Sequence, residues 1–138
     1  MPSLPSKKVL NLAAARAAMA GAEAEAGRNG WRVVIAIVDD GGHPVLVQRL
    51  DGAGVGSVAI AIGKARTAAV FRRPTKAMED SVNGGRFAFV AAPDVVPLEG
   101  GLPILVDGDV VGGIGVSGVT SDQDAAIAQA GIDALLAG

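Results

Sequence analysis

The residue pattern predicts an α+β sheet domain on three counts. Two pairs of apolar runs are each joined by a short turn, Asp39-Asp40-Gly41-Gly42 and Asp107-Gly108. That is hairpin chemistry, and it makes the sheet at least partly antiparallel. Ala-rich stretches with apolar residues at helical spacing lie before, between and after these pairs, enough to cover both faces. Hydrophobic residues make up 50% of the chain, yet it holds only three Phe, one Trp and no Tyr. Ala, Val, Ile and Leu must build the core, in closely packed layers.

Taken in order, residues 1–8 carry Pro2 and Pro5 and read as an N-terminal arm. Leu12 to about Gly27 is a helix by Ala propensity, with Asn11 as its N-cap and Leu12, Ala15, Met19, Ala22 and Ala26 on one face. Trp31 to Val38 is a continuous β-branched run, expected to be a strand covered on both faces, and Pro44 to Leu50 returns beside it. Ser57 to Phe71 is a helix with Val58, Ala61, Ile62, Ala65, Ala68 and Ala69 inward and Lys64 and Thr67 outward. Pro74 ends it, because the residue before proline avoids the helical region, and a short helix over 75–82 follows. Arg86 to Ala91 is expected as a third strand, Pro103 to Val106 as a fourth and Val110 to Val116 as a fifth. Ser121-Asp122-Gln123-Asp124 reads as a capping box for a closing helix, with Asp122 and Asp124 as surface caps.

At 138 residues the chain fits one domain, 1–138, with room for a core that needs no staples. A net charge of −2 and the scarcity of aromatics give no footprint for nucleic acid. The absence of cysteine excludes disulfides, thiolate metal sites and a Cys nucleophile. No apolar run approaches the roughly 20 residues of a membrane span, and the start of the chain lacks an apolar signal-peptide core, so a cytoplasmic location is expected. The mean hydropathy of +0.43 then points to a covered subunit interface.

The most informative stretch runs from Pro97-Leu98-Glu99-Gly100-Gly101-Leu102-Pro103-Ile104 to the glycine-rich Gly112–Gly118. A carboxylate among apolar and glycine residues is costly to bury unless it is bonded. Glu99 is therefore either a backbone-bonded structural residue or a ligand-facing one. Glycines inside a strand mark close approach by a helix or a ligand. Gly113–Gly118 matches G-x-G-x-x-G, but no parallel strand bearing an acid about 20 residues on follows, so the dinucleotide reading fails its context. His43, the only histidine, sits at a hairpin tip and is either a solvated turn residue or the one available imidazole. Lys64, Arg66, Arg72, Arg73, Lys76 and Arg86 form a basic centre that is either a solvated surface or a clamp for carboxylates.

Several ordered blocks carry a family resemblance: Ala36-Ile37-Val38-Asp39-Asp40-Gly41-Gly42-His43, Arg49-Leu50-Asp51-Gly52-Ala53, Lys64-Ala65-Arg66-Thr67-Ala68, Phe71-Arg72-Arg73-Pro74-Thr75, the segment 97–104, and Gly112 to Asp124. Through them the chain resembles the GlcG/HbpS family, which also includes the C-terminal domain of PduO-type cobalamin adenosyltransferases. The resemblance implies a profilin-like three-layer α/β/α domain with a five-stranded antiparallel sheet in the order 2-1-5-4-3. It also implies homo-oligomers and, for some members, haem as cofactor. Many members lie in operons that degrade small organic acids or aromatics. Of side chains able to ligate iron, this chain offers His43 and three Met, with no Tyr or Cys.

Two functions follow as expectations. The first is a small-molecule-binding protein holding haem or a related ligand near a subunit interface. The second is a cofactor-independent isomerase or hydrolase acting on a carboxylated catabolic intermediate, with Glu99 or His43 moving protons. The residues expected to line the ligand site are His43, Arg66, Arg72, Glu99, Gly100 and Gly101. No metal site is expected.

Overall fold

The computed structural model describes residues 1–138. The elements run α1 (Leu12–Asn29), β1 (Val34–Asp39), β2 (Pro44–Arg49), α2 (Ser57–Phe71), α3 (Thr75–Asn83), a 3-10 turn (Phe87–Ala91), β3 (Gly101–Val106), β4 (Asp109–Ser117) and α4 (Ser121–Ala137). The first helix starts where its cap predicts, the Ala14 N–H donating to Asn11 Oδ1 at 2.9 Å. It ends on Gly30, whose φ of 67° lets its N–H reach the last carbonyls. Asp107 and Gly108 both take positive φ, the twist a two-residue hairpin requires.

The sheet is antiparallel throughout, in the order β2-β1-β4-β3. It has four strands, not the expected five. Residues 87–91 form the 3-10 turn because Phe89 is drawn inward, its ring 6.0 Å from Phe71 and 5.6 Å from the Arg86 guanidinium carbon. The rest of that segment is exposed, and its alanines give a strand little to pack. The other four strands keep the neighbours expected of them. Strand β3 becomes the edge, which suits Pro103, a residue without an N–H to give a further strand.

Three layers result. One face of the sheet, with Ile35, Ile37, Ile104, Ile114 and Val116, packs on Ala15, Ala18, Met19 and Ala22 of α1 and Ile127, Ala128 and Ile132 of α4. The other face, with Val34, Ala36 and Val38, receives Ala61, Ala65 and Ala69 of α2. Here the glycines of β4 act. A Cβ on Gly113 would strike the Ala65 carbonyl, and one on Gly115 would strike that of Ala61. The close approach is strand to helix.

The closing helix is capped one residue earlier than expected. Thr120 is the N-cap, and its N–H donates to Gln123 Oε1 at 3.3 Å. This register frees Asp124 to turn inward. No helix is long and apolar enough to cross a membrane.

Gly115→Ala tests the close approach. The methyl group can be accommodated only by moving backbone, so the variant is expected to lose about 3 kcal/mol of stability, at the upper end for overpacking. Chemical denaturation measures this, and a loss below about 0.5 kcal/mol would contradict the packing described.

Candidate functional site

Helix α2 is buried or half-buried over residues 61–69, and the consequence is an internal ion pair. Lys64, expected on the outer side, is 3% exposed, and Asp124, expected as a surface cap, is 2% exposed. Lys64 Nζ donates to Asp124 Oδ2 at 3.1 Å and to the Val116 carbonyl at 2.9 Å. Asp124 Oδ1 accepts the Val119 N–H at 3.2 Å. Burial pushes the Asp124 carboxyl above its ordinary range, while the Lys64 charge and hydrogen bond and the Val119 amide pull the other way. The spacing held the signal: Lys64 stands three residues after Ala61 and four before Ala68, on the stripe those two define.

The pair supports the loop that leads into β3. A Cβ on Gly100 would lie 2.8 Å from Lys64 Nζ and from the Val116 carbonyl, and Gly100 sits at φ 131°. Its carbonyl accepts the Val116 N–H at 3.0 Å. Two buried hydroxyls pin the same loop: Thr67 Oγ1 accepts the Val96 N–H and Thr75 Oγ1 that of Gly101, each at 2.9 Å. Gly100 and Gly101 are therefore buried against α2 and α3. Glu99 is half-buried, and the nearby charge it acts on is Lys76.

His43 is exposed on the β1–β2 turn, its N–H donating to Asp39 Oδ1 at 2.9 Å. Arg66 reaches the same turn, with Nε donating to the Gly42 carbonyl at 3.4 Å. Arg72 lies beyond, close enough to Asp40 to lower its carboxyl, although the main cause of that lowering is the Lys7 hydrogen bond. His43, Arg66 and Arg72 thus share one end of the sheet, whereas Glu99 lies in the loop before β3, near Lys76 of α3.

The concavities lie around the corner between α2 and α3. Arg72 closes α2 with φ 59°, a left-handed conformation that costs a non-glycine residue about 1–3 kcal/mol. Arg73 follows, held out of the helix by Pro74. On one side a groove of about 350 Å³ is lined by Arg72, Arg73 and Pro74, by Leu102, Pro103 and Leu105 of β3, and by Gln129, Ile132 and Leu136 of α4. Leu105 and Leu136 are 45% and 56% exposed there. On the other side a smaller cavity of about 160 Å³ is lined by Arg73, Ala77, Met78, Ser81, Arg86 and Phe89. Of the six residues expected to line the ligand site only Arg72 lines either space; of the wider basic centre, Arg73 lines both and Arg86 the smaller one. No cluster of His, Asp or Glu is placed to hold a metal ion.

Residues 10–133 match the family model described as haem-degrading protein HbpS-like, and the chain belongs to that family. Protein GlcG of Escherichia coli K12 is 46% identical over 114 residues, spanning 83% of this chain and 85% of that protein. The crystal structure of Klebsiella pneumoniae protein ORFY superposes with a TM-score of 0.94 at 32% identity, covering 100% of this chain and 98% of that one. A PduOC chain, solved as a complex with haem, superposes at 0.84 with 30% identity, covering 92% and 95%.

The Lys64–Asp124 pair has a measurable signature. Lys64→Met and Asp124→Asn each leave one buried partner uncompensated and are expected to cost about 3–5 kcal/mol, with the double variant more stable than either single one. In Lys64→Met only the pull of the Val119 amide is left against burial. The folded Asp124 pKa then rises further above its unfolded value, and stability falls as pH rises through that window. The variant's deficit should therefore be larger at pH 8 than at pH 5. Additive single losses with no pH dependence would contradict the pair.

Proposed function

We propose that this chain is a small-ligand-binding protein that takes haem, or a related apolar ligand carrying carboxylates, in the groove beside Arg72 and Arg73. The groove's composition carries the reading. Leu102, Pro103, Leu105, Ile132 and Leu136 supply an apolar wall, and two guanidinium groups stand at one edge. A tetrapyrrole has the matching division, an apolar plate with two propionates on one side, and guanidinium pairs with carboxylate through two parallel hydrogen bonds. Membership of a family described by haem degradation, and the haem complex of a neighbour at 30% identity, support the same ligand class.

The fit is to the porphyrin and not to its iron. No His, Met, Cys or Tyr lines the groove, so one subunit offers the metal no axial ligand there. Leu105 and Leu136 of that wall are exposed in one subunit, and their exposure supports a reading in which a second copy of the chain closes over the bound ligand, near a subunit interface in a homo-oligomer. Neither His43 nor Glu99 lines a concavity, so no observation favours the isomerase or hydrolase alternative.

Titration with hemin, read at the Soret band, tests this. Binding should saturate and weaken about tenfold in Arg72→Ala and in Arg73→Ala, the loss expected for one charge-assisted contact. His43→Ala should leave it unchanged, and iron-free protoporphyrin IX should bind within about tenfold of hemin. Absence of saturable binding, or binding abolished by His43→Ala alone, would overturn the proposal.

A further inference from the structure

The smaller cavity has a chemistry of its own. Arg73 and Arg86 both line it, together with Ser81 of α3. Neither guanidinium is paired: the ion pairs of the chain join Lys7 to Asp40, Lys8 to Asp107, Arg28 to Glu25, Lys64 to Asp124 and Lys76 to Asp80. Neither donates a side-chain hydrogen bond to a protein acceptor, whereas Arg66 does. Arg86 is held in place by the face of Phe89, with its guanidinium carbon 5.6 Å from the ring centroid. The Arg73 backbone is held by Pro74 and by its own N–H, which donates to the Ala68 carbonyl at 3.3 Å. No carboxylate lines the space.

Two unpaired cations on the rim of one concavity raise the local concentration of anions there. We propose that Arg73, Arg86 and Ser81 form a binding site for a small oxyanion, a carboxylate or a phosphate. Guanidinium offers the planar fork that both anions match, and the hydroxyl supplies a further donor. At about 160 Å³ the space is less than half the volume of the groove, and it suits a few-atom anion and not a tetrapyrrole. This site goes beyond the groove reading. Arg73 is the one residue common to both, so an anion held in the small cavity competes for Arg73 with a ligand carboxylate in the groove.

The probes are inorganic phosphate and acetate, titrated into the full chain at constant ionic strength set with sodium chloride. Thermal shift and isothermal titration calorimetry give the readouts. At least one of the two anions should bind saturably, and which one identifies the source. Arg86→Ala should weaken that binding at least about tenfold and leave hemin affinity intact, because Arg86 does not line the groove. Arg72→Ala should do the reverse. Arg86→Lys, which keeps the charge and loses the fork, should fall between wild type and Arg86→Ala, showing that the loss is not one of folding. No saturable effect of either anion beyond chloride would overturn the proposal. Anion binding undiminished in Arg86→Ala would do so too. Failure of hemin to bind, with anion binding intact, would count against the groove alone.

Discussion

Helix α2 lies against β4 at a separation that glycine permits and alanine does not, and most of the architecture follows from that contact. Gly113 and Gly115 place strand backbone directly under the Ala65 and Ala61 carbonyls. A helix that close to a sheet is buried on several sides, so the lysine on its face must find its partners inside the protein. Asp124 and the Val116 carbonyl are those partners. A buried pair of this kind contributes little net stability compared with apolar residues of equal volume, but losing one partner is severe. It ties α2, the end of β4 and the start of α4 to one another.

The same contact positions the candidate site. With α2 fixed on the sheet, its C-terminal end delivers Arg72 and Arg73 to the space between the β3 edge and α4. The loop before β3 is tied to α2 and α3 through Thr67, Thr75 and Gly100, which sets the edge strand that forms the groove's apolar wall. Strain at Arg72, the one left-handed residue at a helix end that is not glycine, is placed where two concavities meet. Rigid elements thus hold the cations, and the apolar surface next to them is open.

Much of the fold was legible because its signals are local. Asn11 as a cap, Asp107-Gly108 as a turn and Pro74 as a stop each act through their own backbone, and each falls where the chain order demands. The segment 86–91 misled because alternation of Phe and Ala looks like a strand, while its outcome depends on Phe71 and Arg86 catching Phe89. Lys64 and Asp124 misled for a different reason: helical spacing put Lys64 on the buried stripe, but its partner lies 60 residues away and nothing in either neighbourhood announces the other. The site itself was only partly legible. Basic residues in the middle of the chain stood out, but which of them line a cavity depends on how the α2–α3 corner turns. Arg72 and Arg73 do so, and Arg66 bends back to the Gly42 carbonyl instead.

The most direct test of the account is a crystal structure of the protein with hemin bound. The porphyrin is expected against Leu102, Leu105 and Leu136 with its propionates on Arg72 and Arg73, and with no axial ligand from the subunit that forms the groove. Hemin seated at the β1–β2 turn on His43, with the groove empty, would contradict it.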